Sequence, residues 1–169
     1  HLIDIIQYFI GNFTSVKGKF YKENNYSGFE DKAIGWFTTE SNIDVIVEAG
    51  GNRDFFHFEI DISGTDGRII IGNGFEKLFL KKESKYYTGF KDLHSVLFPK
   101  FTKNNCFHEL YKEVKKILKD SKYNITSSIN DGHNALEAIH ATYLSSYKKS
   151  EEIKLPLQKN INLKKIFNI

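Results

Sequence analysis

The sequence predicts an α+β fold: an open, mostly antiparallel β-sheet with helices packed on one of its faces. Three observations lead there. Leu2, Ile5, Ile6 and Phe9 recur at helical spacing. From Phe13 onward the apolar period changes to two, in runs bounded by Gly, Asn and Asp. The breaks between those runs, such as Glu40-Ser41-Asn42 and Gly64-Thr65-Asp66-Gly67, are hairpin-length, whereas parallel neighbours need a crossover of about a dozen residues or more.

Each element has its own reason. The opening HLIDIIQYFIG is a helix that Gly11 stops, and no Ser, Thr, Asp or Asn cap precedes its first apolar residue. Six strands follow, at 12–21, 32–39, 43–49, 53–63, 68–72 and 77–82. In the fourth, Phe56, Phe58, Ile60 and Ile62 alternate with His57, Glu59 and Asp61, which predicts one core face and one polar face. The stretch 83–104 carries no readable period. Helical spacing returns at Phe107, Leu110, Tyr111, Val114, Ile117 and Leu118, with Lys112, Lys115, Lys116 and Lys119 on the opposite side. A last helix starts near Asp131 as N-cap and turns Leu136, Ile139 and Tyr143 to the core. IKLPL at 153–157 is strand-like, and a basic tail follows. Residues 1–157 therefore read as one domain and 158–169 as its tail.

The length of 169 residues suits one domain, at roughly 150 residues each. Apolar residues at 40% and charged residues at 27% exclude disorder as the main state. With 24 Lys and Arg against 21 Asp and Glu, the net +3 is too even for a chain whose main partner is nucleic acid. No apolar run approaches the roughly 20 residues that span a bilayer. One cysteine, Cys106, excludes an internal disulfide and a cysteine-rich metal site and fits a reducing compartment, so a cytoplasmic location is expected. The sequence contains no Met and starts at His1 inside a running helical pattern. A fragment, cut within that element, is the expectation.

Several patterns carry chemistry, each with a plain alternative. His1 and Asp4 lie three apart on one helix side and could act as an imidazole and its carboxylate partner, although on spacing alone two solvated polar residues are the expected reading. His57, Glu59 and Asp61 project in a row, which is either a nitrogen-and-oxygen ligand set or a polar sheet face, and the face is the expected reading. Gly72-Asn73-Gly74 lacks the third glycine and following helix of a phosphate cradle and reads as a turn. Cys106 and His108 lack the second cysteine of a zinc pattern, and no Gly-x-Ser-x-Gly elbow is present. No metal site is expected.

Three segments stand in order: HLIDIIQYFIG, then SNIDVIVEAGGNRDFFHFEIDISGTDGRIIIG, then SSINDGHNALEAIHATYLSSYKKSEEIKLPL. Together they resemble the C-terminal domain of the glucose-fructose oxidoreductase, inositol dehydrogenase and MocA family (Gfo/Idh/MocA) of NAD(P)-dependent sugar oxidoreductases. The first is similar to that family's H-x-x-D-x-x-x-y-x-x-G helix. The second is similar to its hairpins joined by a G-T-x-G-x-I turn. The third is similar to its D-G-x-x-A-L-E-x-I-x-A-x-Y-x-S helix and the L-P strand after it.

The resemblance implies a dehydrogenase C-terminal domain without its Rossmann domain. It implies NAD or NADP as cofactor, bound by the missing N-terminal domain through a glycine-rich turn and an E-K-P lysine, neither of which occurs in this sequence. His1 matches the family's active-site histidine, which moves the proton of the substrate hydroxyl, and Asp4 matches the acid one turn later. His133 and Asn134, in the DGHN start of the last helix, are candidate substrate contacts. The implied substrate is a sugar, nucleotide sugar or cyclitol, and the implied assembly is a homo-oligomer through the sheet face, with no nucleic-acid or membrane partner. The 169 residues alone are expected to be inactive. The alternative is a non-catalytic ligand-binding or assembly module of the same fold.

Overall fold

Leu2 and Ile6, four apart, and Ile3 between them turn α1 (Leu2–Ile10) onto the interior, and Gly11, at φ 89°, ends the helix with its N–H donating to Gln7 O at 2.9 Å. The computed structural model describes residues 1–22, 30–51, 53–102 and 104–158, and the basic tail read at 158–169 lies outside them apart from Gln158. The strands are β1 (Phe13–Tyr21), β2 (Lys32–Thr39), β3 (Asp44–Gly50), β4 (Glu59–Ser63), β5 (Gly67–Gly72), β6 (Phe75–Glu83), β7 (Lys91–Val96) and β8 (Ile153–Lys154). Two further helices, α2 (Cys106–Lys119) and α3 (Ile129–Tyr147), complete the order. The chain divides into a unit of His1–Arg53 with Lys116–Ile169 and a unit of Asp54–Lys115.

The fold is α+β with open antiparallel sheets. Instead of one ladder, the strands form two of four strands each, ordered β3-β2-β1-β8 in the first unit and β4-β5-β6-β7 in the second, and every neighbouring pair is antiparallel. In the first unit α3 packs on β1, and α1 packs on α3. The core there is Ile3, Phe13, Val16, Phe37, Val47, Ala138, Ala141 and Ile153, with the Phe13 and Phe37 rings 4.5 Å apart. A helix can lie this close to a strand only where both are thin. A Cβ built on Gly18 would come within 2.5 Å of Thr142 Cγ2 and 3.3 Å of the Ile34 and Thr142 carbonyl oxygens, so any larger residue would force Thr142 or the helix to shift.

That close approach overturns one expectation. The side of α3 facing the sheet carries Ala138, Ala141 and Ser145, while Leu136 is 52% exposed and Ile139 40% exposed. Small residues win the interior because bulk would push helix and strand apart. The start of α3 also differs: Ser128, not Asp131, is the N-cap, and Asp131 is the third helical residue.

In the second unit the fourth strand is shorter than its sequence pattern. Its first pair is Glu59 with Gly72, and the Gly72-Asn73-Gly74 turn then carries the chain into β6, leaving 53–58 without a β5 partner. Phe56, expected on a core face, is therefore 81% exposed, and its carbonyl accepts the Asn73 side-chain amide at 2.7 Å. The unreadable stretch contains β7. Its half-buried side holds Asp92, His94 and Val96 while Leu93 points outward, so hydrophobic alternation is hidden. The helix α2 runs as its periodicity predicts, with no buried residue.

Candidate functional site

A pocket of about 340 Å³ opens in the first unit between α1 and the segment that enters α3. Helical geometry explains its α1 wall: Asp4, Gln7 and Tyr8 are three and four apart, which stacks them on one side. The opposite wall holds Thr126, Ser127, Asp131 and Asn134, and Asn12 lies where α1 has just ended. Packing of α1 on α3 through Ile3 and Ile6 fixes the distance between the walls.

The polar groups of this pocket are partly committed. Ser128 N–H and Ser128 Oγ–H each donate to Asp131 Oδ2 at 2.7 Å, and Asp131 N–H donates back to Ser128 Oγ at 3.3 Å. These bonds, the backbone one foremost, hold the Asp131 carboxyl below its ordinary range, so it is an anion. Asn134 Nδ2–H donates to Asn12 Oδ1 at 3.4 Å across the mouth. Gln7 Oε1 is buried and accepts no hydrogen bond from the described residues. Tyr8 and Phe9 expose their rings at the rim, edge to face at 5.6 Å.

Of the four residues singled out in the sequence, two meet here: Asp4 and Asn134 line the pocket together. His1 is the exposed N-cap residue of α1, one turn before Asp4, and its carbonyl accepts Ile5 N–H at 3.0 Å. His133 is exposed on α3 and, like His1, is not part of the lining. Sequence reasoning missed Gln7, Tyr8, Asn12, Thr126 and Ser127. For Gln7 and Tyr8 the i+3 and i+4 spacing from Asp4 was an available signal. For Thr126 and Ser127 there was none, because the apolar pattern points to a start at Asp131, three residues after the true N-cap Ser128.

The polar row of the fourth strand does not converge. His57 lies outside the ladder, and Asp61 is taken by Arg68, whose Nε–H donates to it at 2.8 Å and whose guanidinium lowers the Asp61 carboxyl below its ordinary range. Among the described residues no three His, Cys, Asp or Glu side chains come together to hold a metal ion. A Rossmann dinucleotide cradle is built on parallel β-α-β units, and every ladder among the described residues is antiparallel. No helix among the described residues is long and apolar enough to cross a membrane.

No family model matches the sequence, and no curated protein matches it. Solved structures do match in fold. Levoglucosan dehydrogenase in complex with NADH and levoglucosan superposes with a TM-score of 0.70 at 16% identity, over 92% of this chain and 48% of that one. Its complex with NADH and L-sorbose gives 0.69 at 15% identity, over 94% and 48%. The WlbA dehydrogenase from Bordetella pertussis, in complex with NADH and UDP-GlcNAcA, gives 0.65 at 16% identity, over 94% and 43%. This chain thus spans about half the length of the dehydrogenases whose fold it shares.

Proposed function

We propose that this chain is the substrate-binding portion of an NAD(P)-dependent oxidoreductase of the Gfo/Idh/MocA kind, acting on a hydroxyl or carbonyl carbon of a sugar, nucleotide sugar or cyclitol. One observation carries the reading: over more than nine-tenths of its length the chain shares its fold with about half of each of several NADH-bound sugar dehydrogenases. The pocket beside α1 supports it, since Asp4 and Asn134 come together there from segments far apart in sequence. On this reading His1 takes and returns the proton of the reacting hydroxyl, and Asp4 orients the substrate or the imidazole. Asn134, with His133 beside it, touches the substrate from α3. The nicotinamide dinucleotide is assigned to chain outside these residues, so the 169 residues alone give no turnover and no micromolar NAD affinity.

The test is the reading frame upstream of His1. It is expected to continue through a strand, a glycine-rich turn and an E-K-P lysine, and its product to reduce NAD or NADP with a sugar or cyclitol. In that product His1→Ala is expected to lower kcat/KM by about 10²- to 10⁴-fold, the usual worth of a proton-transferring side chain. Undiminished turnover in the variant, or a start codon adjoining His1, overturns the reading and favours the binding-module alternative.

The outer face of the first sheet fits the proposed homo-oligomer. Trp36 and Ile46 face each other across β2 and β3 and are 53% and 77% exposed. Lys17 and Lys19 stand beside them on β1, and Asp44 and Glu48 on β3. A two-fold axis along β2 would pack Trp36 of one copy on Trp36 of the other and set the β1 lysines of one copy over β3 of the other, where Glu48 also pairs with Lys32 and Arg53 of its own chain.

A further inference from the structure

We infer that Asn73 is a site of self-modification: Gly74 N displaces its side-chain amide, and the resulting acid releases the segment 54–58 from the second sheet. The inference goes beyond the oxidoreductase reading and stands without it. Its starting point is Gly72-Asn73-Gly74. Gly72 pairs with Phe75, so Asn73 and Gly74 are the entire loop of a two-residue hairpin between β5 and β6. Of all the asparagines in the sequence, only Asn73 is followed by glycine. Gly74 N–H makes no hydrogen bond to any other described residue, so the nucleophile is uncommitted. A Cβ on Gly74 would meet nothing within 4 Å, and glycine adopts its φ of 80° freely, so neither a side chain nor a fixed backbone hinders the closing ring. Asn73 is exposed, which admits the water that the second step consumes.

The step balances with water as its only co-reactant. Gly74 N bonds to Asn73 Cγ and loses its proton, the Cγ–Nδ2 bond breaks, and ammonia leaves. Water then opens the succinimide at Cγ to give aspartate, or at the main-chain carbonyl to give isoaspartate, whose backbone runs through Cβ and Cγ. The structure supplies the consequence. Residues 54–58 have no β5 partner, and Asn73 Nδ2–H holds them at Phe56 O, 2.7 Å away. An amide donates, whereas an ionised carboxyl only accepts, so after conversion two acceptors face each other and the clasp is lost. While the clasp is closed the same bond restrains the side chain, so conversion proceeds from its open state and is irreversible. Isoaspartate adds a second effect, because it lengthens the main chain of the turn that sets the β5–β6 register. Phe56 O belongs to the Phe56–His57 peptide bond, which chymotrypsin cuts after an exposed phenylalanine, so proteolysis reads the clasp directly.

Incubation of this chain at neutral and mildly alkaline pH, followed by peptide mapping in a mass spectrometer, tests the first half of the inference. Asn73 is expected to convert ahead of every other asparagine, and faster at the higher pH because Gly74 N attacks once deprotonated. Asn73→Gln, whose longer side chain closes a ring far more slowly, is expected to remove the signal. Limited chymotrypsin digestion tests the second half. Asn73→Asp is expected to be cut at Phe56–His57 about three- to tenfold faster than wild type, the worth of one hydrogen bond read through the open population, with its fold verified by circular dichroism. Incubated wild type is expected to gain the same sensitivity in step with conversion. An Asn73 that stays intact, a signal that survives Asn73→Gln, or unchanged cleavage in Asn73→Asp overturns the inference. None of these outcomes touches the oxidoreductase reading, which turns on hydride transfer in the longer product.

Discussion

Ser145, fully buried on α3, closes the open side of β1: its Oγ accepts Gly18 N–H at 2.8 Å and donates to Glu151 O at 2.6 Å. One turn of strand further on, Ser146 Oγ accepts Phe20 N–H at 3.2 Å. β8 pairs only with Ser15 and Val16, so without these hydroxyls the remaining β1 amides on that side would lie unpaired against the helix. Ser145→Ala is expected to lower stability by about 1–3 kcal/mol, the cost of a buried donor left without its partner. Urea unfolding reads this as a lower midpoint at unchanged slope, and a midpoint equal to wild type would show that water reaches Gly18 N–H. The LSSY segment betrays none of this in sequence, because donor and acceptor stand 127 positions apart. Asp4 stands in a motif on its own helix and lines the pocket, while Gln7, also in the lining, became visible only when its oxygen was found buried without a donor.

Among the elements, α3 shows best what periodicity supplies and what it omits. Its existence and approximate length follow from apolar spacing, but its inward side is made of Ala138, Ala141 and Ser145, which a search for bulky apolar residues passes over. Its start depends on the reciprocal bonds of Ser128 and Asp131, and these give it a pH dependence with a definite sign. The folded Asp131 carboxyl is lowered, foremost by the Ser128 backbone amide, so its stabilisation is complete above the ordinary carboxylate range. It is lost as pH falls from that range through the lowered folded value. Ser128→Ala is expected to cost about 1 kcal/mol at neutral pH, and Asp131→Asn, which removes the titrating group, to flatten the acid limb of the stability curve, as thermal unfolding between neutral and acid pH would show. An acid limb unchanged from wild type would mean that Asp131 is not held by this cap. β7 was hidden for the opposite reason to α3: its half-buried side is polar, so the strand period exists without a hydrophobic signature.

At the scale of the whole molecule the two units differ in how they are held. Every buried core residue belongs to the first unit, where helices cover the inner face of the sheet. Its outer face leaves Trp36 and Ile46 in solvent, and the proposed two-fold contact predicts a dimer or larger assembly in light scattering at micromolar concentration. Trp36→Lys is expected to give a monomer whose far-ultraviolet circular dichroism matches wild type, and a monomeric wild type would discard the contact. The sequence by itself determined the class of the fold, the order of the elements apart from β7, the antiparallel pairing and the turn at Gly72-Asn73-Gly74, because residue period and loop length act between neighbours a few positions apart. Tertiary structure alone decided which side of α3 is interior, which hydroxyls complete β1, and which residues meet Asp4 in the pocket. Those outcomes depend on how closely two backbones approach and on charges brought together from distant segments, and neither quantity is written in any local stretch of sequence.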